Sequence, residues 1–270
     1  MSRQGVGDIR AMLAAHGLRP KKRLGQHFLA DPNIVDRIVA LAEVEEDDSV
    51  IEIGAGTGAL TVALSERAGR VVAYEVDEDL RSMLQDVVSD RPNVELRWED
   101  ASQHELGAEL DDGPWVMVAN LPYNVGTQIV LDALQDAPQV RRFVVMVQRE
   151  VADRLLAGPG GKAYGRPSVV VGLYGSSRVG LTVPSQVFVP PPRVDSAVVV
   201  IDRTPVDEAA KGAVRLAAVA FNQRRKMLRR SLASVVDDPT VLLEGVGIDP
   251  TSRAEDLSPS DYLTIARALS

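Results

Sequence analysis

Apolar positions in the first 150 residues fall into two alternating textures. Short unbroken runs occur at 49–53 (SVIEI), 70–76 (RVVAYEV), 93–98 (NVELRW), 114–120 (PWVMVAN) and 142–148 (RFVVMVQ). Runs of this length read as strands buried on both faces. Between them, apolar residues recur at helical spacing over 31–43, about 58–68, about 78–88 and about 126–135. In the first of these helices Asp31 stands at the cap, Pro32 fits the first turn, and Ile34, Val35, Ile38 and Leu41 mark one face. The alternation predicts βαβ units and a mostly parallel sheet covered by helices on both faces.

The texture changes after residue 156. AGPGGKAYGRPS (157–168) is rich in Gly and Pro and reads as a mobile loop. SVVVGLYG, SRVGLTVP and SAVVVIDR follow as three candidate antiparallel strands completing the sheet. From about 205 the pattern is helical again: EAAKGAVRLAAVAFNQ, RRKMLRRSLASVV, a stretch near 240–245, and SPSDYLTIARAL. The expected organisation is an α/β domain over 1–204, with residues 1–30 as an N-terminal extension, and a small all-α domain over 205–270.

Charge changes this picture more than composition does. The chain has 270 residues, no cysteine, three histidines and a net charge of −8. Without cysteine there are no disulfides, cysteine-type zinc sites or thiol nucleophiles. Three scattered histidines argue against a histidine-based metal site, so no metal is expected. There is no apolar run long enough to span a membrane and no signal-peptide core near the N-terminus. A cytoplasmic monomer without membrane partners is therefore expected. The negative total is unevenly spread. Residues 1–30 carry +5, residues 31–140 carry −18 and residues 141–270 carry +5. Two basic clusters stand out: Lys21, Lys22 and Arg23, preceded by Arg19, and Arg224, Arg225, Lys226, Arg229 and Arg230. Either alone reads as a solvated face; together, flanking an acidic core, they are expected to form a phosphate-binding surface.

Two motifs carry chemistry. In IEIGAGTGAL, Gly54, Gly56 and Gly58 follow a strand and precede a helix, and Glu75 ends the next strand. This is the arrangement of a nucleotide-type site, with the carboxylate placed for ribose hydroxyls. With Ala59 in the third small-residue position, the same segment also fits a dehydrogenase fingerprint. The second motif, Asn120-Leu121-Pro122-Tyr123, ends the fourth strand, where open α/β sheets bind ligands. It suits methyl transfer to an exocyclic amine. The adenine N6 lone pair is delocalised into the ring. Acceptors from the Asn120 side chain and the Leu121 carbonyl can take its two hydrogens and direct the lone pair outward. Pro122 fixes the backbone without adding a donor, and Tyr123 offers a stacking face.

With these motifs in hand, the chain resembles the ribosomal RNA adenine dimethyltransferases, most nearly the small-subunit type. The likeness runs through KKRLGQHFLADPNIV (21–35), IEIGAGTGALT (51–61), YEVDEDL (74–80), Glu99-Asp100-Ala101, NLPYNVGTQIV (120–130), VVMVQREVADRL (144–155), KAYGRPSVV (162–170), VFVPPPRVDSAVV (187–199) and AFNQRRKMLRRSL (220–232). It implies a class I, Rossmann-like methyltransferase fold using S-adenosylmethionine. It further implies that Gln26, His27 and Leu29 close over the methionine end of the cofactor. Gly54 and Gly56 would approach it by backbone, Glu75 would hold the ribose, and Asp100 with Ala101 would flank the adenine. Asn120 would line both cofactor and target, and Tyr123 and Phe188 would sandwich the target base. His27 departs from the family, which often has Asn there; an imidazole replaces one amide hydrogen bond but not both.

The reaction so implied is dimethylation of N6 on two adjacent adenosines in a 3′-terminal hairpin of 16S rRNA, in immature small subunits. The sulfonium methyl is already activated, so positioning and desolvation suffice. The related resistance-type enzymes of 23S rRNA, an assembly checkpoint acting by binding, and a nicotinamide dehydrogenase are the alternatives.

Overall fold

The computed structural model describes residues 4–122 and 125–269. They divide into two compact units: Met1–Ala152 with Arg178–Asp202, and Asp153–Ser177 with Arg203–Ser270.

The first unit is built on the sheet that the apolar runs predict. The strands are β1 (Phe28–Leu29), β2 (Ser49–Ile53), β3 (Arg70–Tyr74), β4 (Val94–Arg97), β5 (Trp115–Asn120), β6 (Val140–Gln148), β7 (Gly175–Val183), β8 (Phe188–Val189) and β9 (Ser196–Arg203). Seven form one sheet in the order β4-β3-β2-β5-β6-β9-β7. Strands β2 to β6 pair in parallel, and β9 runs antiparallel to β6. Strand order reverses between β2 and β5, the topological switch point where such sheets bind ligands. The core explains the unbroken apolar runs. Val50, Val71, Val116, Val118, Val144, Val198 and Val200 are all buried, because helices cover both faces of a parallel sheet.

The helix expected over 31–43 is Pro32–Ala42, and Asp31 caps it by accepting from the N–H of Asn33 and Ile34. The other expected helices are Ala59–Ser65, Arg81–Val87 after a 3₁₀ turn, and Gly126–Asp136. A helix the sequence reading did not include, Val6–Ala15, lies in the N-terminal extension. It buries Ile9 and Leu13 beside Phe28, Leu80, Met83 and Val189.

The second unit corrects three expectations. SVVVGLYG is not a strand: Arg166–Tyr174 is a helix, with Pro167 in its first turn. Val169, Val170 and Val171 are all buried. A short helix buried over most of its surface loses its periodicity and looks like a strand. The Gly-rich stretch is not a free loop. The Gly160 N–H donates to the Glu255 carbonyl, and the buried Tyr164 donates from its hydroxyl to the Leu257 carbonyl at 2.8 Å. Residues 153–177 therefore go with the helical unit, and the division does not fall at 204/205 alone. The other helices of this unit are Ala210–Asn222, Leu228–Ser231, Pro239–Gly245 and Pro259–Ala268. Phe221 contacts Tyr164 and Tyr262 in its aromatic centre. Among the described residues no helix is long and apolar enough to cross a membrane.

Candidate active site

A cleft opens at the carboxyl ends of β2, β3 and β5, entirely within the first unit. Its floor is the glycine loop. Gly54, Gly56 and Gly58 have φ of 82°, 56° and 79°, in the left-handed region that side chains rarely adopt. Space matters as well. A Cβ on Gly56 would come within 3.1 Å of the Phe28 ring, and one on Gly58 within 2.9 Å of Leu84 and Val87. The N–H groups of Gly54 and Ala55 both donate to the Tyr74 carbonyl, which ties the loop to the end of β3.

Two buried carboxyl groups line this cleft. Glu75, 7% exposed, follows β3. Its Oε2 accepts from Gly56 N–H at 2.8 Å and its Oε1 from Asp77 N–H at 2.9 Å. Burial raises its pKa, outweighing those backbone bonds. Glu52, on β2, is 1% exposed. Burial pushes its pKa up to about 7, against a lowering interaction with Thr61 and reinforced by the charge of Glu75. Its Oε2 has no hydrogen-bond partner among the described residues. A wall with two such groups disfavours an anion and suits a ligand that offers hydroxyls and positive charge.

Asn120 ends β5 at the cleft. Its side-chain Nδ2 donates to the His27 carbonyl at 3.2 Å, which uses one of its two N–H groups; Oδ1 is the amide's acceptor. Leu121 is 2% exposed, and its N–H donates to the Met146 carbonyl. The Pro122 carbonyl accepts from Gly126 N–H, opening the next helix. Tyr123 lies outside the described residues. On the opposite lip, Asp100 accepts through Oδ1 from the N–H and hydroxyl of Ser102, and Ala101 is buried beside it. This segment is braced from behind by residues that sequence reasoning did not single out. His104 sits 2.7 Å from Glu109 and 3.3 Å from Glu99, and Glu109 also accepts from Tyr74 and Arg97.

The N-terminal segment closes one side. Gln26, His27 and Leu29 all line the cleft, but two of them are committed elsewhere by their side chains. The Gln26 amide is used at both ends: Oε1 accepts from Lys21 N–H, and Nε2 donates to Asp77. His27 donates from Nδ1 to the Pro190 carbonyl at 2.6 Å. Each therefore holds the segment in place with its side chain. The Phe188 ring is 2% exposed and packs in the core. Strand β8 pairs with β1, with Leu29 opposite Phe188. Phe188 thus anchors the N-terminal strand.

The basic residues divide in the same way. Lys22 and Arg23 are exposed, and Arg23 reaches the cleft rim. Lys21 is paired with Asp77 and Asp79, so its charge is already neutralised. In the second unit Arg225, Lys226, Arg229 and Arg230 are exposed. Arg224 is engaged with Glu255 and with the carbonyls of Gly161 and Lys162. Lys21 and Arg224 are thus internal ties. Charge clustering in a sequence does not reveal a partner distant along the chain.

Comparison with known proteins agrees with this geometry. A family model described as ribosomal RNA adenine dimethylase matches residues 17–270. A ribosomal RNA small subunit methyltransferase A from Phenylobacterium zucineum is 41% identical, over 99% of this chain and 94% of its own. One from Rubrobacter xylanophilus is 44% identical, over 93% and 96%. Among solved structures, a dimethyladenosine transferase from Plasmodium falciparum superposes with a TM-score of 0.76 at 26% identity, covering 88% of this chain and 96% of that one. The 23S rRNA methyltransferase ErmE gives 0.70 at 26% identity, covering 90% and 99%. The likeness extends over both units and includes the residues of the cleft: the chain belongs to the ribosomal RNA adenine dimethylase family.

Proposed function

We propose that this protein dimethylates the N6 amino groups of two adjacent adenosines in a 3′-terminal hairpin of 16S rRNA, using S-adenosylmethionine, as small ribosomal subunits mature. The observation that carries the reading is the Asn120 amide. Its nitrogen donates to the His27 carbonyl at the end of β5, and the residue lines the cleft beside a glycine loop and a buried carboxylate.

The residues present fit the cofactor. Glu75 has one backbone donor on each oxygen, which leaves lone pairs for two ribose hydroxyls. Asp100, with Oδ1 taken by Ser102, has Oδ2 to accept from an adenine amino group, and Ala101 lies beside it. Gly54 and Gly56 allow close approach by backbone. When bound, S-adenosylmethionine supplies an activated methyl group.

The chain's own work is positioning. Asn120 Oδ1 and the Leu121 carbonyl accept the two N6 hydrogens, favour a pyramidal nitrogen and aim its lone pair. Pro122 keeps a competing N–H out of the turn. Tyr123 is the aromatic that the motif provides for stacking. Unstacking the target base costs a few kcal/mol, and stacking on an aromatic face returns about 1–3 kcal/mol per base. The N6 proton leaves to water. Lys22 and Arg23 in the first unit, and Arg225, Lys226, Arg229 and Arg230 in the second, bind the RNA backbone.

The Asn120→Ala variant tests this. Methyl transfer to small-subunit rRNA should fall more than a hundredfold, while calorimetric affinity for S-adenosylmethionine weakens only a few-fold. Normal turnover in that variant would remove Asn120 from the reaction.

A further inference from the structure

The N-terminal segment that closes the cleft is held by one buried carboxylate, Asp77, 4% exposed. It lies just after Glu75, on the turn leaving β3. Its Oδ1 accepts from Lys21 Nζ and from Asp79 N–H, and its Oδ2 accepts from Gln26 Nε2 at 2.6 Å. Lys21 also reaches Asp79 Oδ2 at 2.5 Å. Within the segment, Lys21 N–H donates to Gln26 Oε1 at 2.8 Å, and the Lys21 carbonyl accepts from Leu24 N–H. Residues 21–26 thus form a closed loop whose two ends meet on Asp77.

The same residue continues into the ligand wall. Asp77 N–H donates to Glu75 Oε1, and Glu75 Oε2 accepts from Gly56 N–H. An unbroken hydrogen-bonded path therefore runs from Lys21 and Gln26 through Asp77 and Glu75 to the glycine loop. Burial works against the Asp77 charge, but the bonds from Lys21 and Gln26 outweigh it and hold its pKa below the ordinary aspartate value. The carboxylate stays charged, and charged acceptors make the stronger hydrogen bonds.

We propose that Asp77 is a positioning residue that latches residues 21–27 across the cleft and sets the orientation of Glu75, so that segment closure and cofactor retention are one event. The proposal rests on the reading of the cleft as the S-adenosylmethionine site. Lys21 and Gln26 act in it as the two halves of a catch. Loss of either releases the chain that carries the His27 carbonyl, and that carbonyl is what fixes the Asn120 amide. Asp77 therefore acts on the target side of the site through the segment it holds.

The test compares Asp77→Asn, Lys21→Met and Lys21→Arg in the full chain. Amide hydrogen exchange over residues 21–29 is measured without cofactor, and dissociation of S-adenosylhomocysteine is followed by stopped flow. Asp77→Asn should speed exchange of the segment and raise the dissociation rate at least tenfold. Lys21→Met should do both by several-fold, and Lys21→Arg should restore most of the difference. Unchanged exchange and dissociation in Lys21→Met, whose side chain is a quarter exposed, would overturn the latch even if Asp77→Asn fails to fold. A wild-type protein that binds no S-adenosylhomocysteine would instead refute the cofactor reading, and exchange over 21–29 would still report on the latch.

Discussion

Glu52 is the most exacting test of the buried wall of the cleft. Its carboxyl group is fully enclosed, with a folded-state pKa of about 7 set by burial, against about 4.3–4.5 in an unfolded chain. Between those values the native protein keeps a proton that the unfolded chain has lost. Raising pH through this window must therefore lower stability. A shift of roughly 2.5 units corresponds to about 3 kcal/mol, lost progressively from pH 4.5 to pH 8. In Glu52→Gln the neutral amide fits the same space and does not titrate. The stability of the variant relative to wild type should then rise by about 3 kcal/mol over that interval. The difference between the two proteins cancels the titration of groups they share. Urea unfolding followed by tryptophan fluorescence is a suitable assay, because both tryptophans, Trp98 and Trp115, lie in the first unit. Parallel stability-versus-pH curves for the two proteins would show that Glu52 ionises normally and that the wall is wet.

Three further outcomes are expected. Gly58→Ala combines a left-handed backbone with a Cβ 2.9 Å from Leu84 and Val87; strain and overpacking together should cost about 2–4 kcal/mol, read as a lowered urea midpoint. Tyr164→Phe should cost about 1–2 kcal/mol by leaving the Leu257 carbonyl unpaired, and protease sensitivity near residues 157–162 should increase; an unaltered cleavage pattern would mean that Tyr164 does not pin that stretch. Replacing Arg225 and Lys226 together by Ala should weaken rRNA binding and flatten the log K against log salt slope by roughly 1–2, whereas an unchanged slope would place the RNA elsewhere.

The parallel sheet was readable because burial on both faces removes polar residues from each strand, and glycine punctuates the end of β2. The glycine loop was readable for a related reason: the left-handed backbone it needs is local. What escaped the sequence depends on distant partners. The helix Arg166–Tyr174 is buried over most of its length, so its three consecutive valines look like a strand. The helix Val6–Ala15 was hidden in a segment noticed only for its charge. The ion pairs of Lys21 with Asp77 and of Arg224 with Glu255 bridge 56 and 31 residues, so charge clustering in the sequence does not show them. Phe188 reads from its motif as a partner of the target base; its pairing across β1–β8 and its packing in the core show only in the fold. Asp77 itself offered no signal, since one acid within YEVDEDL is indistinguishable from its neighbours until the chain folds back upon it.

The most direct test of the proposed reaction is to locate the methyl groups. Immature small subunits from cells lacking this protein are incubated with it and methyl-labelled S-adenosylmethionine, alongside naked 16S and 23S rRNA. The RNA is then digested and mapped by mass spectrometry. The expected result is N6,N6-dimethyladenosine at two adjacent positions near the 3′ end of 16S rRNA. Label confined to 23S rRNA, or the absence of any dimethyladenosine, would contradict it.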